Sequence, residues 1–536
     1  MRKNVLSVTA MLLVLCLMLT GCAGINFVGY FEQLAALLGG SSLMPLEQME
    51  YTRPDMEKLQ QTVEACCAQA QTEKNLDKLV EVIYEFYGVY DDFYTNLALS
   101  MIFYSQDQTD TYWETEYNFC TENSAQVDAA LDRFYRVLAK SSLRKELESD
   151  SYFGKGYFDS YEGESLYDEA FTALLQREAE LENQYYGLIA QAGEDFAYTQ
   201  SFYDAYGQQM EQLFVELIRV RQSQASYAGY ESYPEFAYDF YHVRDYTPAD
   251  ATAYIADIRA QLVPLYRKIG QDLGIVLYSC TRQEMFDYVQ TMAQAMGGDI
   301  AQAFADMESA GLYDITFSEN KLDASFELYI RGYGSPFVFV NPTETAYDKL
   351  TFAHEFGHFC NDYVSWGSGV GVDVSEVFSQ GMEYLSLCYA PVDENLTKLK
   401  LLDALCIYVE QAAYASFEQQ VYGLKEDALT AEGVRALYDS VCTGFGMEGG
   451  WSYVFITHFF TEPLYVISYV VSNDAALQLY QMELENAGAG LACLTENLAT
   501  AQPYFLAFLQ EAGLESPFAD GRMEAVKETL QSIFNG

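Results

Sequence analysis

Positively charged side chains are scarce in this chain of 536 residues. It has 29 lysines and arginines against 78 aspartates and glutamates, so its formal net charge is −49. A phosphate backbone would be repelled by such a field, so we exclude nucleic acid as a partner. The same excess gives no electrostatic attraction to an anionic membrane surface. It favours basic or neutral peptide ligands and helps to keep the protein in solution.

Cysteine pairs with the CxxC spacing are also missing. The 11 cysteines are scattered, several of them through apolar stretches, which predicts small buried side chains rather than a cysteine site. Cys16 and Cys22 lie in the N-terminal segment described next, and without them an odd number remains. At least one thiol is therefore free in a monomer. The adjacent Cys66 and Cys67 could contribute to a disulfide, but adjacent cysteines on a helix more often pack.

Apart from its N-terminus, the chain lacks an apolar run long enough to cross a membrane. The N-terminus begins with Arg2 and Lys3, continues with a short apolar run and ends in LTGC at 19–22, the pattern of a secretory signal. This ending resembles the lipobox of bacterial lipoproteins, which implies that Cys22 becomes the lipidated first residue. We therefore predict a signal peptide at 1–21 and an extracytoplasmic protein, lipid-anchored to the bacterial cell membrane. The alternative is a single N-terminal membrane helix.

Internal repeats and low-complexity segments are absent, and helical periodicity dominates. Residues 22–50 contain a glycine pair and a serine pair and are predicted to tether the anchor to the body. From about 50 to 235, apolar residues recur at three- and four-residue spacings. This pattern predicts an N-terminal helical lobe at 51–200, followed by a second region at 201–536.

The chain has only four histidines, and two of them lie in the stretch TFAHEFGHFC. His354 and His358 are four residues apart, so on a helix both side chains project from one face and can reach one metal ion. Glu355 lies about 100° around the helix, where a carboxylate can act as general base for water. A helix that carries two histidines by coincidence is the alternative. His242 has no ligand spacing around it and is predicted to be structural.

A hydrolytic zinc ion needs three protein ligands and one open position. Glu376, in DVSEVFSQGMEYLSL, is the candidate third ligand because a glycine-rich loop before it leaves room for a returning helix. Glu383 lies two turns further along the same face and could orient a ligand as a second-shell carboxylate. The alternatives are a helix-start carboxylate stabilised by the helix dipole for Glu376 and a surface position for Glu383.

One stretch before the histidine motif breaks the helical pattern. In SFELYIRGYGSPFVFV, alternating and β-branched residues flank Gly332, Gly334 and Pro336, which predicts one or two short strands with a glycine-rich turn. We expect a small sheet beside the motif helix. An edge strand there could pair with an extended peptide, or the hairpin could be purely structural.

The last histidine, His458, lies near two tyrosines. We expect a helix opened by Thr461 and Pro463, on which Tyr465 and Tyr469 share a face. A histidine and two phenols on one wall could bind the oxyanion that forms when water attacks a peptide carbonyl. Plain packing of these side chains is the alternative.

Three segments together, HEFGH, EVFSQGME and HFFTEPLYVISY, resemble the oligoendopeptidase F and thimet oligopeptidase family of zinc peptidases. The resemblance runs from about 200 to the C-terminus. It implies a mainly α, bilobal body with a deep substrate channel and a small β-sheet beside the HExxH helix. It also implies one Zn²⁺ bound by His354, His358 and Glu376, with Glu355 as base and with His458, Tyr465 and Tyr469 contacting the scissile carbonyl and the substrate backbone.

The resemblance implies that residues 201–536 form a zinc peptidase catalytic region. The implied function is a zinc-dependent endopeptidase that hydrolyses short unfolded peptides at the outer face of the cytoplasmic membrane. The chain departs from the family at Cys360 and Asn361, which replace a small residue and a histidine that often follow HExxH. Two alternatives stay open, another zinc hydrolase such as a carboxypeptidase and a peptide-capturing lipoprotein with a relict metal site. The oligomeric state leaves no signal in the sequence.

Overall fold

The computed structural model describes residues 43–149, 152–192, 199–269, 277–367 and 369–535. The predicted signal peptide, the predicted lipidation site Cys22 and most of the predicted tether lie outside these residues. Within them, no helix combines the length and the apolar character needed to cross a membrane. The nine cysteines that the structure describes are all free thiols, and most are buried, as predicted from their apolar surroundings.

Long helices build the first part of the described chain, as the periodicity predicts. Each of the four long helices begins where an aspartate or asparagine side chain accepts a hydrogen bond from the backbone of the first turn, which satisfies donors that the helix leaves open. Aromatic side chains fill the spaces between these helices, and Phe86 stacks on Phe134 with ring centroids 4.1 Å apart. The helices are α1 (Met56–Thr72), α2 (Leu76–Gln106), α3 (Thr111–Ala139), α4 (Arg144–Leu147) and α5 (Glu169–Ile189).

The rest of the described chain is also mainly helical. The fold is therefore the mainly α architecture that the sequence predicts. Two π-helical segments, Tyr203–Gly207 and Ile407–Gln411, interrupt the helices. The remaining helices are α6 (Gln200–Phe202), α7 (Gln208–Ala228), α8 (Tyr233–Phe240), α9 (Pro248–Gln261), α10 (Val263–Ile269), α11 (Arg282–Met296), α12 (Gly298–Ala310), α13 (Asp348–Ser365), α14 (Val372–Tyr389), α15 (Glu394–Cys406), α16 (Ala412–Val421), α17 (Ala431–Phe445), α18 (Thr457–Thr461), α19 (Ile467–Glu485), α20 (Ala489–Asn497), α21 (Phe505–Ala512) and α22 (Arg522–Asn535).

A small sheet packs against α13, as predicted. Its strands are β1 (Tyr313–Asp314), β2 (Ser325–Ile330) and β3 (Ser335–Val340), in the order β1-β3-β2. The hairpin pairs β2 and β3 antiparallel, and β1 runs parallel to β3. At the turn, Gly334 has φ +57°, a left-handed conformation that glycine adopts without strain. The sequence pattern identifies the hairpin but not β1, which is only two residues long.

The helices α13 and α14 touch at a glycine. A Cβ atom on Gly357 would lie 2.7 Å from the carbonyl oxygen of Phe378 and 2.7 Å from the Cα of Ser379. No side chain fits in such a gap, so glycine lets the two backbones approach. Because Gly357 lies between His354 and His358, this contact brings the motif helix directly onto the helix that carries Glu376.

The segment around His458 differs from the prediction. The expected helix opened by Thr461 and Pro463 is wrong, because His458 lies inside the short α18 and the next helix begins only at Ile467. Proline disfavours the helical conformation in the residue before it, and Glu462 has φ −139° and ψ 68°. The intervening turn, residues 462–466, also contains Leu464 with φ 65°. Tyr465 is therefore part of a turn, whereas Tyr469 lies in the first turn of α19.

Candidate metal and catalytic site

The three predicted metal ligands come together. His354 and His358 lie one turn apart on α13 with ring centroids 5.0 Å apart. Glu376 reaches them from α14, with its Oε2 atom 3.5 Å from His354 Nε2 and its Oε1 atom 3.8 Å from His358 Nε2. One ligand atom from each residue lies within 4.8 Å of the others. Two imidazoles and one carboxylate form a donor set typical of hydrolytic zinc sites.

Hydrogen bonds on the far side of each ring fix the direction of both histidines. His354 Nδ1 lies 2.7 Å from Glu383 Oε1, and His358 Nδ1 lies 2.9 Å from Ser375 Oγ. A carboxylate only accepts, so His354 Nδ1 carries a proton and donates it, which leaves Nε2 as the ring nitrogen that faces Glu376. Neither Nε2 atom has a hydrogen-bond partner among the described residues, although both are buried. A buried nitrogen without a partner is costly, so these residues fit a metal ion.

Glu355 lies beside this set rather than in it. Its side chain is fully buried, and neither carboxylate oxygen has a hydrogen-bond partner among the residues that the structure describes. Burial raises the pKa of Glu355 to about 8, the charge of His354 opposes this rise, and the carboxylates of Glu376 and Glu383 add to it. A buried carboxyl group beside the metal ligands is placed to accept a proton from water and to return it.

The predicted group of one histidine and two tyrosines forms the opposite wall. The Tyr469 hydroxyl lies 3.1 Å from His458 Nε2, and the Tyr465 hydroxyl donates to Glu376 Oε1 at 2.5 Å. The two phenol rings are 5.1 Å apart between centroids. Burial lowers the pKa of His458 to about 3, so its imidazole is neutral. The structure therefore gives the two tyrosines different partners, which the sequence alone does not distinguish.

Comparisons with known proteins find similarity in part of the sequence and in the fold. Residues 46–165 match a family model described as the Peptidase M3 N-terminal domain. The resemblance that the motifs predict is thereby confirmed for the family of this N-terminal domain. The N-terminal helical lobe predicted at 51–200 overlaps the matched residues, but its boundaries and those of the 201–536 region stay predictions.

Solved structures show the same fold. One assigned as an oligoendopeptidase F has a TM-score of 0.83 at 21% identity and covers 92% of this chain and 99% of that chain. PZ peptidase A with an inhibitor has a TM-score of 0.83 at 20% identity and covers 91% and 99%. An oligoendopeptidase F from Bacillus anthracis has a TM-score of 0.79 at 21% identity and covers 92% and 99%. The curated proteins contain no match to this chain.

A buried lysine that the sequence does not single out supports the candidate metal site. Lys400 of α15 is fully buried and binds Glu383 Oε2 at 2.7 Å and Asp403 Oδ2 at 3.0 Å. Tyr347 donates to the other oxygen of Asp403 at 2.8 Å. Burial raises the pKa of Glu383, but the Lys400 ammonium and the bond from His354 lower it below its ordinary range. Glu383 is thus an ionised acceptor for His354, in the position predicted for it.

Three buried side chains hold the turn that carries Tyr465. His242 Nε2 bonds the carbonyl of Pro463 at 2.9 Å, in line with its predicted structural role. Glu418 accepts from the amide of Leu464 at 2.6 Å, and Arg244 donates to the carbonyl of Leu464 at 3.0 Å. The left-handed conformation of Leu464 is costly for a branched side chain, so these bonds offset strain.

Arg244 also joins this turn to the helix of Glu376. It donates to Ser468 Oγ at 2.8 Å and to Asp373 Oδ2 at 3.3 Å, and Asp373 lies in the first turn of α14. A second buried arginine, Arg221 of α7, donates to the carbonyl of Phe459 at 2.8 Å, directly after His458. These contacts join residues far apart in the chain, so no local spacing could have revealed them.

Proposed function

We propose that this protein is a zinc-dependent endopeptidase that hydrolyses short unfolded peptides. The observation that carries the proposal is the convergence of His354, His358 and Glu376 next to Glu355, a buried carboxylate to which no described residue donates. A bound zinc ion supplies Lewis-acid polarisation of water and of the scissile carbonyl. Every one of these side chains is buried, which favours thin, extended substrates over folded proteins and supports the predicted deep channel.

The protein's own residues divide the chemistry between them. Glu355 accepts the proton of the attacking water and returns it to the leaving amine. Neutral His458 donates from Nε2 to the Tyr469 oxygen, and the Tyr469 hydroxyl then donates to the oxyanion that develops on the scissile carbonyl. Tyr465 donates to Glu376, so we assign it to the orientation of that ligand and Tyr469 to the oxyanion. Glu383 and Ser375 hold the two imidazoles in their ligand directions.

The decisive experiment uses a quenched peptide that is acetylated at one end and amidated at the other. Internal cleavage, loss of cleavage after chelation, and recovery with one equivalent of Zn²⁺ per chain are the expected results. A carboxypeptidase would leave the blocked peptide intact and trim its free-acid form, so that pattern would favour the alternative hydrolase. Binding without turnover of either form would favour a peptide-capturing protein.

Tyr469→Phe should lower kcat by about 100-fold, because one donor to the oxyanion is lost. Zinc content should stay at the wild-type value, since the Tyr469 hydroxyl contacts His458, which is not one of the three ligands. Tyr480→Phe is the matched control, because Tyr480 is buried on the same helix. Steady-state kinetics with metal analysis provide the measurement, and a fully active Tyr469→Phe enzyme would remove this hydroxyl from the mechanism.

We also propose that the enzyme works outside the cytoplasm, held to the bacterial membrane by lipid on Cys22. Cys22→Ser should move the protein from the membrane fraction to the soluble fraction, because the modified atom is removed. Cys16→Ser is the matched control within the predicted signal and should leave the protein on the membrane. Retention of Cys22→Ser in the membrane would support the alternative membrane helix.

A further inference from the structure

A group of acidic side chains, which we call the acidic crevice, lies beyond the proposed active site along α13. We propose that this crevice is a subsite for a basic side chain, arginine or lysine, of the peptide substrate. We define the acidic crevice by Asp91 of α2, Asp128 of α3, Asp362 of α13, Tyr329 of β2 and Arg331 at the hairpin turn. The proposal rests on the proposed peptide hydrolysis and adds a substrate class to it.

The position of Asp362 links the crevice to the catalytic centre. His354, His358 and Asp362 follow one another at four-residue intervals, so their side chains lie along one side of α13. Asp362 is about 6 Å further along the helix axis than His358, roughly the length of two extended residues. From the neighbouring strand, the buried Glu327 has both Asp362 and Glu355 as electrostatic neighbours. A peptide cleaved beside Glu355 therefore passes within reach of Asp362.

Negative charge exceeds positive charge in the acidic crevice. Arg331 Nη1 lies 3.9 Å from Asp91 Oδ1, and the same guanidinium lowers the pKa of Asp128 and Asp362. Burial still raises the pKa of Asp91 and Asp128 to about 6 and that of Asp362 to about 7. Three carboxyl groups therefore share the charge of one guanidinium, and a second cation would lower their electrostatic energy.

The side chains of the acidic crevice are mostly buried but keep a small exposed fraction. Asp91 and Arg331 keep 16% and 21% of their side chains exposed, while the surroundings are apolar enough to raise the carboxyl pKa values. Groups in the packed core have no such exposure. These side chains therefore lie at the edge of the packed interior, where a charge pair is stronger than at an open surface.

Tyr329 is the observation that points to a ligand. Its side chain is only 7% exposed, and its hydroxyl has no hydrogen-bond partner among the described residues. Burial raises the pKa of Tyr329, Asp362 and Asp91 add to this rise and Arg331 opposes it, so the phenol lies among the charged groups of the acidic crevice. A Cβ atom on Gly367 would lie 2.3 Å from the Tyr329 ring. Any residue other than glycine at position 367 would therefore displace this ring. The Tyr329 hydroxyl can therefore accept a hydrogen bond from a donor that the described residues do not supply.

A guanidinium or ammonium group matches this environment better than a metal ion. Arg331 already lies 5.9 Å from the ring centroids of both Tyr90 and Tyr94, so the walls accept a planar cation beside aromatic faces. Among the described residues, only His354, His358 and Glu376 have the spacing of a metal site. The crevice carboxylates are spread along a wall, as hydrogen bonds from several N–H donors require.

The test compares peptides that differ only in arginine or citrulline, an uncharged side chain of the same shape, at each position around the cleaved bond. At one position the wild-type enzyme should prefer arginine by about tenfold in kcat/KM, mainly through KM. Asp362→Asn should reduce this ratio to about two, and added salt should also reduce it. Asp257→Asn, an exposed carboxylate of α9, is the control and should keep the wild-type ratio.

Binding measurements keep the proposal testable without turnover. In the Glu355→Gln background, fluorescence anisotropy should show tighter binding of the arginine peptide, and Asp362→Asn or Tyr329→Phe should reduce that difference. Equal affinity for both peptides at every position, or an unchanged preference in Asp362→Asn, would overturn the subsite. If no peptide is cleaved but the arginine preference in binding persists, the proposed hydrolysis fails and the subsite stands.

Discussion

Glu355→Gln should abolish cleavage of a blocked quenched peptide, with kcat lower by about 100- to 10,000-fold, while zinc stays bound. The amide has almost the shape of the carboxylate but cannot take a proton from water, and that transfer accounts for such factors. Glu355 is not a ligand, because His354, His358 and Glu376 supply the three metal-binding atoms. Its oxygens accept no hydrogen bond among the described residues, so the substitution breaks no contact that the structure shows.

Two measurements on one preparation check this prediction. Metal analysis should find one zinc per chain in the wild type and in Glu355→Gln, and kinetics should show turnover only in the wild type. Glu211→Gln is the control, since Glu211 is also buried but is bound by Arg435 away from the site. Normal turnover by Glu355→Gln would contradict the assignment of Glu355 as the base, and loss of zinc would make it part of the metal site.

Arg244→Met should lower kcat by about 10- to 100-fold and destabilise the fold by about 3–5 kcal/mol. The stability loss follows because Asp373 would stay buried without its ion-pair partner, and breaking one side of a buried pair has this cost. The loss in kcat follows because the carbonyl of Leu464 and the hydroxyl of Ser468 lose their donor. The turn then no longer holds Tyr465 on Glu376, nor the start of α19 near His458.

A double variant separates these two effects. Arg244→Met with Asp373→Asn removes the unpaired charge, so it should recover much of the melting temperature and little of kcat. Arg522→Met is the matched control, because Arg522 forms a buried pair with Asp474 outside the site, so it should lower the melting temperature with kcat kept. Amide exchange at Leu464 should speed up only in the Arg244 variants. Recovery of kcat together with stability would show that Arg244 acts through the fold alone.

Local patterns in the sequence predict the parts of this protein that depend on local geometry. Four-residue spacing is sufficient to place His354 and His358 on one helix face, and glycines between β-branched residues are sufficient to mark the hairpin. Predicting Glu376 as the third ligand depended on a loop of adequate length and on a family resemblance, because the two histidines lie on another helix. The structure brings these residues together with His458, Tyr465 and Tyr469 as expected.

The contacts that hold the site in place could not be predicted in the same way. Lys400 contacts Glu383 from α15. In the sequence of that helix Lys400 is simply a charged residue, and nothing in the pattern marks it as a partner of the metal site. Arg244 and Arg221 contact backbone carbonyls more than 200 residues away, and a carbonyl carries no sequence signature. The start of α19 at Ile467 also depends on such contacts, since they stabilise a turn where a proline pattern suggests a helix start.

The glycine contact between α13 and α14 also has a thermodynamic consequence. Because the ligands stand on two helices that touch at Gly357, metal binding and unfolding of the catalytic core are linked equilibria rather than separate events. An ion that binds only the folded state raises the free energy of unfolding by RT ln(1 + [Zn²⁺]/Kd). The melting temperature measured against free zinc concentration therefore becomes a titration of the metal site that requires no substrate, no turnover and no knowledge of the natural peptide.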